Sequence, residues 1–196
     1  MSRLTSDYWT QRYRQGNTPW QLNKPAPALL WYLNAQQLPQ QTRILLPGAG
    51  AGAELAALLK LGYQHTYALD WAEAAFETLQ AAYPKLSSDH LLVADFFEHT
   101  ESYDLIYEQT FFPAIDPALR PAYARHMHQL LAPSGRLVGT WFTHPLTEQG
   151  PPFGGSEEEY FALFDPYFQQ ITISPNEHAA PNRVGKELFI EALSPR

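Results

Sequence analysis

The run Ile44-Leu45-Leu46-Pro47-Gly48-Ala49-Gly50-Ala51-Gly52-Ala53-Glu54 constrains this chain more than any other segment. A short apolar stretch turns through three glycines spaced two apart. It then enters a segment with Leu55, Leu58 and Leu59 at helical spacing. That pattern predicts a strand, a tight turn and a helix. Glycine suits the turn because it tolerates positive φ and carries no Cβ to block a ligand from the backbone. At such a junction free N–H groups face the crevice at the strand's carboxyl end. Asp70 ends the next apolar run, twenty residues after Gly50, where nucleoside-binding folds place a carboxylate on the ribose. The same residue is also placed to cap a helix beginning near Ala72. The segment points to a nucleoside cofactor.

Around the loop the chain alternates between two periodicities. The pattern predicts helices over 5–15 and 26–37, a strand over 43–47, a helix over 51–61, a strand over 65–70 and a helix over 72–83. Strands at 90–94 and 104–108 follow, then a helix at 119–131 and a strand at 136–142, with Pro133-Ser134-Gly135 as the turn between them. Residues 144–156, rich in Pro, Gly and Thr, form a loop long enough to suspect a function. A short helix at 156–164 and strands at 168–174 and 187–193 complete the chain. Repeated β-then-α alternation implies an α/β, Rossmann-like, doubly wound sheet with helices on both faces.

Composition narrows the function classes. At 196 residues the chain reads as one domain, 1–196. It has no cysteine, which excludes disulfides, thiolate metal sites and a cysteine nucleophile. No apolar run approaches the roughly 18 residues a membrane span needs, and the amino terminus lacks a secretory pattern. A cytoplasmic protein without a membrane partner is expected. The net charge of −7 and the scattered 13 Lys+Arg argue against a nucleic-acid partner. A small-molecule substrate, even an anionic one, remains compatible, and a monomer suffices. No metal is expected: His126 and His128 stand about 200° apart on their predicted helix, too far round to chelate together. Glu157-Glu158-Glu159 reads as a solvated first helical turn.

The glycine loop fits two cofactors. Gly48-x-Gly50-x-x-Ala53 satisfies the dinucleotide fingerprint, and Gly48-x-Gly50-x-Gly52 the methyltransferase form. The flanking segments discriminate. They are Trp9-x3-Tyr13-x6-Trp20, Tyr107-Glu108-Gln109-Thr110-Phe111-Phe112-Pro113-Ala114-Ile115-Asp116-Pro117, Gly150-Pro151-Pro152-Phe153 and Arg183-x-Gly185-x-Glu187. Together, over about residues 8–190, these resemble the thiopurine S-methyltransferase superfamily, and most of all its halide and thiol methyltransferase branch. Tyr13, Gln21, Gln109, Pro113 and Ser134 depart from that branch's usual residues.

The resemblance implies a class I methyltransferase sheet of seven strands, the last antiparallel, and S-adenosylmethionine as methyl donor. It makes residues 1–40 a helical lid over the cofactor and 41–196 the core. It places Trp9, Tyr13 and Trp20 over the cofactor, Gly48 and Gly50 at its amino-acid end and Asp70 on the ribose. Asp95 and Phe96 fall at the adenine, with Glu108 and Gln109 near the methyl group. Physical chemistry agrees in part. Aromatic faces attract a sulfonium cation by about 0.5–2 kcal/mol each when desolvated, although Trp9 and Tyr13 lie at i, i+4 and would serve equally as core. Methyl transfer to a soft anion such as a thiolate, hydrosulfide, thiocyanate or halide needs alignment and dryness rather than a strong base. Phe111, Phe112, Trp141, Phe142 and Phe153 are candidates for an apolar acceptor pocket. Two rival readings stay open: a nicotinamide-dependent oxidoreductase, and a non-catalytic binding protein of the same fold.

Overall fold

The computed structural model describes residues 4–22 and 24–196, so residues 1–3 and 23 of the expected lid lie outside the described part. Seven strands form one sheet: β1 (Ile44–Pro47), β2 (Thr66–Asp70), β3 (Leu91–Val93), β4 (Tyr103–Gln109), β5 (Leu131–Phe142), β6 (Phe168–Pro175) and β7 (Glu187–Pro195). Their order is β3-β2-β1-β4-β5-β7-β6. The first five are mutually parallel, and β7 runs antiparallel to both its neighbours. The helices are α1 (Ser6–Arg14), α2 (Pro27–Gln36), α3 (Ala53–Lys60), α4 (Glu73–Ala82), α5 (Arg120–Gln129) and α6 (Glu157–Phe164).

Side chains alternate across a strand, and here each parity feeds a separate core. Ile44, Leu46, Leu105, Tyr107 and Val138 pack with Leu29, Leu55, Leu58 and Phe76 on one face. Leu45, Ile106 and Leu137 pack with Phe112, Tyr123, Trp141 and Phe164 on the other. The inner strands are apolar at nearly every position because both faces are covered.

Two expectations change. β5 begins at Leu131, which pairs with Tyr103, and a register shift between Tyr103 and Leu105 absorbs Pro133-Ser134-Gly135 as an irregularity within the strand. The backbone is crowded there: a Cβ on Gly135 would lie 2.9 Å from the carbonyl oxygens of both Ala132 and Tyr103. Second, the amino-terminal 40 residues do not act together. α2 buries Leu29, Tyr32 and Leu33 against the sheet and belongs to the core. No residue of α1 is fully buried, unlike α2.

Candidate active site

In open α/β sheets ligands bind at the carboxyl ends of the strands, where the strand order reverses. That point lies between β1 and β4, from which β2 and β5 run outward in opposite directions. An open cleft lies there, and a second, smaller hollow adjoins it along the glycine loop. Tyr13, Trp20, Gly48 and Thr110 line both.

The loop's glycines are required by conformation and by crowding. Gly48 and Gly50 have φ of +58° and +54°. A Cβ on Gly48 would overlap the Phe111 ring, and one on Gly50 would stand 2.8 Å from the Tyr13 hydroxyl. Asp70, at the end of β2, accepts the Gly50 N–H at 3.1 Å through Oδ2 and the Ala72 N–H at 2.9 Å through Oδ1. It thus braces the loop against the turn before α4, whose N-cap is Ala72 with no side-chain cap bond, and it lines the cleft. Burial pushes its carboxyl up to about 6, against the lowering effect of the Ala72, Gly50 and Trp71 N–H groups.

Asp95 and Phe96 line the same cleft beside Ala94 and Phe97. Asp95 accepts the Phe97 N–H at 2.9 Å and so starts the short 3-10 turn at Phe96–Glu98. Phe96 is buried, with its ring edge-on to Phe97 and Phe111. His126 packs edge-on to Phe96 at 4.8 Å, whereas His128 reaches the Arg196 carbonyl at 2.8 Å, so the two histidines point apart.

The amino-terminal aromatics are half-buried and meet edge to face. Trp20 stands 5.3 Å from Trp9 and 5.9 Å from Tyr13, and the Arg12 guanidinium lies over the Trp20 ring at 4.9 Å. All four line the cleft. No residue of α1 is fully buried, so Trp9 and Tyr13 stand between the cleft and the neighbouring α4 rather than inside either core.

Glu108 requires a correction. Its side chain is fully buried and does not line the cleft. It accepts the backbone N–H groups of Phe111 and Phe112, the latter at 2.6 Å, and the indole N–H of Trp141. Burial pushes it up to about 8 despite those three donors. Glu108 shares the parity of Ile106 and faces the Trp141 core, whereas Gln109 has the parity of Tyr107 and lines the inner hollow. Gln109 Oε1 accepts the Tyr107 and Thr140 hydroxyls at 3.3 and 3.0 Å.

Of the five expected acceptor-side aromatics, Phe111 and Phe142 line the cleft, while Phe112, Trp141 and Phe153 are buried. The sequence reading missed Arg12, Arg183, Lys186, Pro151 and Pro152, which also line it. It also missed Thr110, a β-branched residue held at φ +62° where β4 meets the cleft, an unusual conformation for such a side chain. Pro151, Pro152 and Arg183 fall in motifs already singled out. Glu159 is not merely solvated, since it pairs with Arg120 at 2.6 Å.

The glycine cradle, the free edge of Asp70 and the aromatic-walled cleft fit an adenosyl group with a cationic tail. With this strand order they define a class I methyltransferase. The magnesium protoporphyrin IX methyltransferase of Synechocystis PCC 6803, solved with bound S-adenosylmethionine, has the same fold. Its TM-score is 0.74 at 13 % identity, over 96 % of this chain and 94 % of that one.

The profile of the thiopurine S-methyltransferase (TPMT) family matches residues 4–194, and the chain belongs to that family. It is 35 % identical to a probable thiol methyltransferase 2 of Arabidopsis thaliana, over 95 % of this chain and 84 % of that protein. It is 31 % identical to a thiocyanate methyltransferase 1 of the same plant, over 91 % of this chain and 81 % of that protein. The protein is a methyltransferase and its methyl donor is S-adenosylmethionine. Family membership favours that reading of the glycine loop over the nicotinamide and non-catalytic ones.

Proposed function

We propose that this enzyme methylates a small, already ionised soft nucleophile, a thiolate, hydrosulfide or related anion. The observation that carries this is the composition of the cleft beyond the glycine loop. Phe111, Phe142, Pro151 and Pro152 supply an apolar wall; the charged groups balance, with Arg12, Lys186 and the Glu187-paired Arg183 against Asp70, Asp95 and Asp116. No histidine lines this cleft, and Asp116 is engaged by the Ala118 N–H at 3.0 Å. Such an apolar, histidine-free wall has little to offer a nucleophile that must first lose a proton and suits one that arrives already ionised.

The donor, when bound, supplies a methyl group activated by an adjacent sulfonium. The residues that would hold it are Gly48 and Gly50 through their backbone, Asp70 at the ribose, and Asp95 with Phe96 at the adenine. Gln109 would stand near the tail. Trp9, Tyr13 and Trp20 would cover the cation, exclude water and keep the field at the reacting carbon undiluted. Residues 4–22 act as the lid. We infer a monomer as the working form. With no cysteine to require an oxidising compartment and no described helix long and apolar enough to cross a membrane, we place the enzyme in the cytoplasm.

The test is an acceptor screen that follows S-adenosylhomocysteine release with hydrosulfide, thiocyanate, iodide, an aromatic thiol and a thiopurine, against a phenol and a primary amine. Turnover that tracks the ionised fraction of a thiol supports the reading. Turnover confined to neutral oxygen or nitrogen acceptors overturns it.

A further inference from the structure

The motif Arg183-x-Gly185-x-Glu187 is given no part in holding the donor, yet it carries a buried cation with two hydrogen-bonded partners. We propose that Arg183 is a positioning residue: its guanidinium latches the amino-terminal aromatic segment, through the Trp20 carbonyl, to the antiparallel strand β7. The kinetic meaning of this latch rests on the donor site described above; its structural meaning does not.

Arg183 is 5 % exposed although Asn182, Val184, Gly185 and Lys186 around it are exposed. A guanidinium is driven into such a position only when its donors are met. Nη1 donates to Glu187 Oε1 at 2.9 Å, at the first residue of β7, and Nη2 donates to the Trp20 carbonyl. The second Glu187 oxygen accepts Asn176 Nδ2 at 3.0 Å, which fixes the carboxylate from behind. A rigid planar fork serves two acceptors in different directions at once, which a lysine ammonium on a flexible stem does poorly.

The far side of the latch is where it matters. Trp20 is the ring on which Trp9, Tyr13 and Arg12 converge. α1 has no fully buried residue; it rests on α4, and among the described residues its hydrogen bond to the sheet side of the molecule is the Ser6 hydroxyl donating to the Trp71 carbonyl at 2.9 Å. A segment attached by edge contacts and few hydrogen bonds opens at low cost. A single buried donor on Trp20 therefore sets where three cleft-lining aromatics stand.

The competing role for Arg183 is simple neutralisation of Glu187. Two variants separate them. In Arg183→Met/Glu187→Leu the ion pair is removed as a unit, which buried interiors tolerate, but the bond to Trp20 is lost. In Arg183→Lys the charge opposite Glu187 is kept and the second bond is lost. The latch predicts that trypsin cleaves after Arg12 and Arg14 at least tenfold faster in both variants without ligand, while the sheet stays intact. It also predicts that the Kd for S-adenosylhomocysteine by calorimetry rises at least tenfold in both. Wild-type cleavage and affinity in the double variant, or full rescue by Arg183→Lys, overturns the proposal. Should the double variant fail to fold, Arg183→Lys decides by the same two readouts. Absence of donor binding in the wild type would sink the donor site, while faster cleavage in the variants would still establish the latch.

Discussion

The Gly50 N–H donates to the Asp70 carboxylate at 3.1 Å, joining two residues twenty positions apart in the chain. The turn after β1 and the acid at the end of β2 are therefore one unit. The loop's curvature depends on an acceptor supplied by the neighbouring strand. The acid in turn is oriented by two backbone donors, Gly50 and Ala72, which leaves its cleft-facing edge for hydroxyl groups of a ligand.

Asp70→Asn is expected to weaken donor binding by about 1–3 kcal/mol, since charge-assisted bonds are lost and an amide N–H₂ meets backbone donors. The pH dependence has a definite sign. The folded carboxyl is raised to about 6, above the usual aspartate value, so folding favours its protonated form. The stability it contributes is full below about pH 4 and is lost as pH rises through about 6. Binding runs the other way, because a ribose hydroxyl needs the ionised acceptor. Calorimetric affinity should rise between pH 5 and 7 in the wild type and stay flat in Asp70→Asn. A flat wild-type profile would leave Asp70 a loop-bracing role alone.

Glu108→Gln tests the correction made to that residue. The carboxyl group's two oxygens meet three N–H donors, from Phe111, Phe112 and Trp141. An amide has one oxygen for them and turns two hydrogens toward the third, leaving a buried donor unmet at a cost of about 1–3 kcal/mol. Urea unfolding should show that loss. Donor affinity should fall by less than the stability does, since Glu108 reaches the cleft only through the Phe111-Phe112 turn. A selective collapse of activity with unchanged stability would restore Glu108 as a group acting near the methyl.

These two acids show what the sequence made legible and what it hid. Asp70 ends a run whose neighbours are all apolar, and a twenty-residue offset from a glycine turn is a strong signal. The alternating strands and helices came through for the same reason: the periodicities of 2 and 3.6 are imposed by burial on both faces of the sheet. Glu108 and Gln109 were read as a pair because they share a strand end. Successive side chains on a strand point to opposite faces, so only one of them could reach the inner hollow. Parity with Ile106 held that information. Arg12 and Lys186 were illegible on other grounds, and Arg183 was visible as a motif but not as a cleft residue: their place depends on how the two ends of the chain fold over the sheet, which no local pattern encodes. The same applies to α2, whose apolar character was visible but whose membership in the core was not.

Gly48→Ala and Gly16→Ala form a matched pair. Both positions sit at positive φ, +58° and +64°, so each alanine bears about 1–2 kcal/mol of backbone strain. At Gly16 nothing lies within 4 Å of the added carbon, whereas at Gly48 it overlaps the Phe111 ring. Denaturant titration should therefore find Gly48→Ala the more destabilised, and donor affinity should drop in Gly48→Ala alone. Equal losses at the two sites would mean that Phe111 moves aside freely and that the loop is less tightly built than its contacts imply.

Arg120→Met separates the acceptor side of the cleft from the donor side. Arg120 is 3 % exposed, pairs with Glu159 at 2.6 Å and donates to the Gly154 carbonyl at 2.8 Å, with its guanidinium over Phe112 at 4.6 Å. The Gly154 carbonyl belongs to the loop that brings Pro151 and Pro152 to the cleft, and that loop's other near anchor is the Phe153 N–H on the Pro113 carbonyl at 2.7 Å. Methionine fills the stem's volume but frees the loop and leaves a buried carbonyl unmet, for a loss of about 1–3 kcal/mol. Because none of these contacts touches the glycine loop, Asp70 or the amino-terminal aromatics, the acceptor KM should rise severalfold while the Kd for S-adenosylmethionine holds. Parallel loss of both would show that the 144–156 loop supports the donor as well, and that the two ends of the cleft are coupled through the Phe111-Phe112 turn.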